Sequence, residues 1–431
     1  MAGTGSANTP LYEEFDFHKA GEESIDIAPA VGGVVFYESI FSPVLTMTLT
    51  ITDSGKNSNM PGNDAGDPFY TSLKPTGAES VSFVISNSAK QRISVPVNKF
   101  KLNQIANAEV NNSIQAYTMR FYTGDFYDNN QLHVDRVYKN QTYNNIVGNI
   151  VSDVLQSEEE YYSDSTPSQV AAYYGSRRKP FTVIFDLASK SEFEDLSGAG
   201  FVFYRTRRGY HFKSLKVLQE QNHVAHYVKT DTLPTVYDEG GTSVDFTILS
   251  MTILRNADVE QGTLFGTYNA ENKAINPYLS SLERSNGVWE LDPAATPTLG
   301  LDEFEINEDI QNILGEGRQY TALSNAGPGL KFDSKALSEV TNSTYNWAAQ
   351  STFAYNEAFN QIINITVPSN LDLYAGDVIL VDIPKTGCQT ELDQTLSGKY
   401  LIMDLCHFFT ANRAFTSLRI GRGTYGRQES N

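Results

Sequence analysis

Between Leu45 and Ile51 the chain alternates without a break: Leu45, Met47, Leu49 and Ile51 are apolar, and Thr46, Thr48 and Thr50 stand between them. A period of two sends successive side chains to opposite faces of a strand, so this stretch predicts a sheet packed on one side only. The neighbouring sequence reads the same way. Strand-like runs occupy 24–27 and 34–41, then Val81–Ile85, Ile93–Leu102 and Ile114–Tyr122, with a Gly-, Asn- and Asp-rich surface loop at 53–67. Short strands at such spacing indicate an antiparallel barrel or sandwich of about 100 residues. Tyr and Phe, at 24 each, suit pleated and half-buried surfaces.

The period changes near residue 143. Ile146, Val147, Ile150, Val151, Val154 and Leu155 recur at helical spacing, and Pro180 opens a second window with Val183, Ile184, Leu187 and Ala188 on one face. Residues 157–176, acidic and rich in Tyr and Ser, read as a loop between them. A hairpin follows, with Phe201–Tyr204 and Tyr210–Leu215 around the basic turn Arg205–Gly209. Strand character returns at 242–254, fades over 263–349, and after a helical stretch at 344–360 dominates the end of the chain. There the expected strands are Ile362–Val367, Val378–Ile383, Tyr400–Phe409 and Phe415–Ile420, the last two joined as a hairpin. Residues 1–20 have no period and read as a flexible arm.

Composition narrows the chemistry. With 431 residues, the chain has room for about three domains at roughly 150 residues each. A formal net charge of −19 repels phosphate backbones and argues against nucleic-acid binding, sequence-specific or general. Two cysteines, Cys388 and Cys406, provide no disulfide framework and no thiolate metal site. No signal peptide and no run of about 20 apolar residues is visible, which predicts a chain made and kept in a cytoplasm with no membrane-spanning segment.

No Walker loop, nucleophile elbow or Gly-x-Gly-x-x-Gly after a strand is present, so no cofactor is expected. His223 and His226 are the only close histidine pair, and they lack further ligands nearby. Glu283, Asp292 and Thr298 have the spacing of a phage-type lysozyme triad, but Pro293 and Pro297 remove the helical context it needs. Arg205, Arg207 and Arg208 form the one local basic patch, read as a charged hairpin tip or as a contact for an acidic partner.

Three blocks carry a resemblance. They are Thr366-Val-Pro-Ser-Asn-Leu-Asp-Leu-Tyr-Ala-Gly-Asp-Val-Ile-Leu-Val-Asp-Ile-Pro384 with Leu396-Ser-Gly-Lys-Tyr-Leu-Ile402 and His407; the hairpin ending Leu418-Arg-Ile-Gly-Arg-Gly-Thr-Tyr-Gly426; and the central Phe193–Leu218. Together with 262–275, their order and spacing resemble the baseplate central hub of contractile-tailed phages, a family related to the hub part of type VI secretion spike proteins. The residues that carry the likeness are Pro368, Gly376, Asp377, Ser397, Gly398, Tyr400 and His407. Ser369 stands where that family usually has Gly.

The resemblance implies a mainly β chain with α/β inserts: two tube-like antiparallel β-barrels plus two inserted domains. The expected layout is an arm at 1–20, a first barrel at 21–122, an α/β insert at 123–218, a second barrel from 219–262 with 350–422, a second insert at 263–349, and a tail at 423–431. It also implies a structural virion protein of the tail baseplate, assembled in the host cytoplasm and not an enzyme. A homotrimeric ring would adapt a threefold spike to a sixfold tube and line the DNA channel. Its implied partners are a tail tube or tube-initiator protein above, a spike or needle below, and baseplate wedge proteins. Two other classes compete. A carbohydrate-binding adhesin would need exposed Trp platforms, and only Trp289 and Trp347 occur; a cell-wall glycoside hydrolase would rest on Glu283.

Overall fold

The computed structural model describes residues 10–425, except 22, 54–73, 88, 111–113, 167–168, 192, 194–199, 231–245, 257–259, 261–263, 265–268, 277–280, 291–298, 300–317 and 324–346. The chain is mainly antiparallel β. Its first run of strands is β1 (Pro10–His18), β2 (Ile25–Asp26), β3 (Val31–Ser39), β4 (Thr46–Asp53), β5 (Ser80–Asn87), β6 (Arg92–Val110) and β7 (Gln115–Thr123). Leu45, Met47, Leu49 and Ile51 all point into one core with Phe36, Phe83, Phe100 and Phe121, as the alternation requires. Residues 10–18 correct the expectation of a flexible arm. They pair with β5 along its length and bury Phe15 and Phe17, which local sequence does not reveal because the partner strand lies beyond a long loop.

A mixed segment follows: β8 (Val137–Thr142), the helix Tyr143–Asn149 continued by a wide turn at Ile150–Val154, β9 (Tyr161–Ser163), β10 (Gln169–Tyr174), the helix Pro180–Ala188, and the hairpin of β11 (Phe201–Thr206) with β12 (Gly209–Ser214). Both helical windows bury the residues that their spacing selected, apart from Val154, which is half-buried against the same core. The stretch 157–176, read as a loop, contains β9 and β10; β9 runs parallel to β12 and β10 pairs with β8.

The helix Leu215–Gln219 leads to β13 (His223–Val228) and β14 (Ser250–Arg255). β15 (Asn269–Asn276), β16 (Ser281–Glu290) and β17 (Arg318–Leu323) form a sheet of their own. The helix Trp347–Ala358 then precedes β18 (Gln361–Pro368), β19 (Val378–Asp382), β20 (Pro384–Lys385), β21 (Cys388–Leu392), β22 (Gly398–Thr410) and β23 (Ala414–Arg422). The beginning of the expected tail is packed: Gly423 and Thr424 are buried, and the Tyr425 hydroxyl donates to the Asn256 carbonyl.

The last strands repeat the order of the first. Neighbours run β3-β4-β7-β6-β5 in one run and β14-β18-β23-β22-β19 in the other. One ladder irregularity coincides as well: β6 is bulged against β7 between Leu102 and Gln104, and β22 against β23 between Ile402 and Asp404, although β6 has a second bulge between Ala106 and Glu109 that β22 lacks. Bulges re-aim a strand at a fixed place, so a shared bulge ties the two registers together. The two runs are not separate sheets. β3 of the first lies antiparallel to β22 of the second, from Ser39 opposite Asp404 to Gly33 opposite Thr410, making one continuous sheet.

Candidate functional site

Of the residues that carry the family likeness, Gly376 and Asp377 bond to β22 beside its joint with β3, and His407 lies within that joint. Gly376 has φ +93, and a Cβ there would lie 2.4 Å from the Tyr204 hydroxyl, so the turn admits only glycine. Its N–H donates to the Ile402 carbonyl (2.9 Å), and the Ile402 N–H donates to the Asp377 carbonyl (2.8 Å). The Asp377 carboxylate accepts from the Tyr374 N–H at 3.0 Å. Burial pushes that carboxyl up to about 6, against the lowering effects of the Tyr374 bond and of Arg208.

The first run holds a counterpart that the sequence reading missed. Ala78, φ +66, donates to the Leu102 carbonyl (2.9 Å), and the Leu102 N–H donates to the Glu79 carbonyl (2.7 Å). Glu79 accepts from the N–H groups of Thr76 and Gly77 at 2.6 and 2.8 Å. Burial would raise this carboxyl, but those backbone donors outweigh it and hold it below the usual range. The signal was a shared pattern, an acid following a left-handed residue at the start of a strand. It is faint because Ala and Glu replace Gly and Asp.

The basic hairpin tip is not a solvated charge run. Arg205 is 2% exposed and ion-paired to Asp125 and to Glu159, the latter at 2.7 Å. Arg207 donates from Nε to Glu38 (2.9 Å), from Nη1 to the Leu371 carbonyl (2.9 Å) and from Nη2 to the Leu373 carbonyl (2.7 Å). Its guanidinium lies 4.5 Å from the centre of the Tyr374 ring. Glu38, on β3, is fully buried and also accepts from the Ala375 N–H. One fork therefore ties β3, the β11–β12 hairpin and the 371–375 crossing together. Arg208 alone stays exposed, stacked 3.7 Å over Tyr374. The acidic partners are in the same chain, 46 to 169 residues away, so local sequence could not show them.

Ser397, Gly398 and Tyr400 form a second cluster. The Ser397 hydroxyl accepts from the Ile383 N–H (2.9 Å) and donates to its carbonyl (3.0 Å). Gly398, φ +142, opens β22. Arg422, fully buried, donates to Gln361, to the Ser397 carbonyl and to the Thr395 carbonyl at 2.6–2.8 Å, and lies 4.5 Å from the Tyr400 ring centre. Pro368 ends β18 opposite Phe415. His407 is buried against Thr416 (3.0 Å), and burial, with Arg207 nearby, keeps its imidazole neutral.

Burial, and then Asp404, push the Cys406 thiol up to about 12, far from a reactive thiolate. His223 and His226 lie on β13, which is bulged against β19 between His223 and Ala225, and His226 is 2.9 Å from Asp382. Among the described residues no group of three His, Cys, Asp or Glu is placed to hold a metal ion, and no helix is long and apolar enough to cross a membrane. Glu283 lies on β16, while Asp292 and Thr298 fall outside the described residues, as do residues 54–67 of the expected loop and most of 263–349.

One further acid was not foreseen. Glu357 is buried on the helix before β18 and accepts from Gln219 at 3.1 Å; burial lifts it to about 8, only partly offset by that bond. The folded carboxyl holds its proton up to that pH, whereas an unfolded one releases it near 4.5, so stability falls as pH rises through this window. Between about pH 6 and about pH 9 the loss should be roughly 2–3 kcal/mol. Glu357→Gln should flatten this slope in thermal melts; an unchanged slope would place the acid in water.

No family model and no curated protein matches the sequence. Solved structures do match. The 43 kDa tail protein of prophage MuSo2 from Shewanella oneidensis is 10% identical with a TM-score of 0.52, over 95% of this chain and 98% of that one. The tail protein from Neisseria meningitidis MC58 is also 10% identical with a TM-score of 0.52, over 95% and 96%. The Escherichia coli c3393 protein, a type VI secretion component, matches at 10% identity and a TM-score of 0.47, over 97% and 80%. At this identity the likeness concerns the fold alone: the chain has the fold of the two tail proteins.

Proposed function

We propose that this chain is a structural hub of a contractile-tail baseplate, acting as a homotrimeric ring around a DNA channel. The observation that carries the reading is the repeat of strand order and bulge within one continuous sheet. On this reading the two runs are two tube-like barrels at 21–122 and at 219–262 with 350–422, joined as neighbours in a ring would be. The segments 123–218 and 263–349 are then inserts carried outside the ring. Three chains provide six similar units, which can meet a sixfold tube above and a threefold spike below. Pro368, Gly376, Asp377, Ser397, Gly398, Tyr400 and His407 serve as framework of the second unit and its joint. Tail tube or tube-initiator, spike or needle, and wedge proteins are the partners, and the virion baseplate is the location, with assembly in the host cytoplasm.

Charge fits a conduit. Three chains carry −57 formal charges (three times −19), and a wall of that sign keeps DNA from sticking. Arg205 and Arg207 are consumed inside the chain and cannot line a wall. Native mass spectrometry of the full chain should give the mass of three copies, and negative-stain images should show threefold rings with a central hole. A monomer at micromolar concentration, or a closed particle without a hole, would reject the ring.

A further inference from the structure

The first run's outer strand, β3, is covered along its free edge by β22. Its counterpart in the second run, β14, pairs with β18 on one edge, and on the other no strand pairs with it among the described residues. The ladders define the correspondence. Val34, Val35 and Phe36 pair with Leu49, Thr48 and Met47, while Met251, Thr252 and Ile253 pair with Ile365, Asn364 and Ile363. Leu49, Thr48 and Met47 pair with Met119, Arg120 and Phe121, and Ile365, Asn364 and Ile363 with Leu418, Arg419 and Ile420. Phe36 thus corresponds to Ile253. Phe36 is fully buried, yet Ile253 is 47% exposed, and Leu249 and Leu254 stand open beside it.

The complementary edge is also present. β22 is paired with β19 up to Leu401, and beyond its bulge the same edge takes β3 from Asp404 onward. β6 is paired with β5 up to Lys101; beyond its bulge, from Gln104 to Val110, no strand pairs with that edge among the described residues. Asp404 is 8% exposed because β3 lies along it, whereas its counterpart Gln104 is exposed. One run lacks a cover for an apolar strand, and the other lacks an occupant for a prepared edge. Open apolar edge strands invite pairing with another chain.

We infer that β14 of one copy adds antiparallel to the Gln104–Val110 edge of β6 in the next copy, reproducing β3 on β22. The inference rests on the ring reading above. Transfer of the internal register places Thr252 opposite Glu109 and Met251 opposite Val110, as Val35 and Val34 lie opposite Phe408 and Phe409. Because each copy has one β14 and one β6 edge, the contact is head-to-tail and closes a ring when the rotation fits.

Paired Cα atoms across antiparallel strands are about 4.5–5.5 Å apart, within reach of a disulfide. In a Cys388→Ser, Cys406→Ser background, Thr252→Cys with Glu109→Cys should oxidise to a covalent ladder ending at three chains. Thr252→Cys with Gln104→Cys, out of register, should not. As a second arm in the native background, Ile253→Asp should leave the thermal melt of the isolated chain unchanged, because the side chain is half exposed, and lower the trimer fraction at least tenfold. Trimers that fail to cross-link at 252 and 109 and tolerate Ile253→Asp would overturn this joint while leaving the ring. Capture of β14 by a different protein in place of a second copy would overturn it equally. A wild-type chain that stays monomeric would remove the ring itself.

Discussion

Arg207→Ala should destabilise the chain by about 3–5 kcal/mol, because it leaves Glu38 fully buried with its charge uncompensated. The same change removes the donors to the Leu371 and Leu373 carbonyls, loosening the 371–375 crossing that the fork holds. Arg207→Lys should recover only part of the loss, since one ammonium cannot span a carboxylate and two carbonyls at once. Arg208→Ala, at an exposed side chain 3.9 Å from Asp377, should move stability by under about 1 kcal/mol. Chemical denaturation of the three variants would decide the matter. Equal effects at 207 and 208 would mean that the hairpin tip is solvated after all.

Leu49→Asp should prevent accumulation of folded protein, at a cost above about 4 kcal/mol, by placing an unpaired carboxylate in the core beside Met47 and Met119. Thr48→Asp should cost under about 1 kcal/mol. Its position is half-buried on the other face and lies directly opposite Arg120, so the new charge meets an opposite one across the strands. Yield of folded protein and the denaturation midpoint give the readout, and comparable losses from both changes would invert the face assignment.

These two sites differ in how readable they were. The face of β4 follows from seven residues and a period of two. The Arg207 fork was visible only as basic residues in a turn. Its meaning came from Glu38 and from carbonyls that any residue at 371 and 373 would provide. Arg422 went unread for a similar reason: it ends a strand as a surface arginine would, yet three of its acceptors converge inside the second run. The resemblance drew attention to Gly376 and Asp377, and their hydrogen bonds then identified Ala78 and Glu79 as a matching pair that no residue identity announces.

By itself, the sequence determined the strongly periodic elements. Alternation set strands and their buried faces at 45–51, 362–367 and 415–420, helical spacing set 146–155 and 180–188, and the Arg–Gly turn set the hairpin between β11 and β12. These are local facts, because a side chain's period tells which way it points. Tertiary structure alone decided that β1 joins β5, that the basic tip is buried, and that β3 and β22 merge two runs into one sheet, with Tyr37 bonded to Asp404 across 367 residues. Strand pairing is made by backbone N–H and C=O groups that nearly every residue carries alike, so which edges meet is settled by packing over the whole chain.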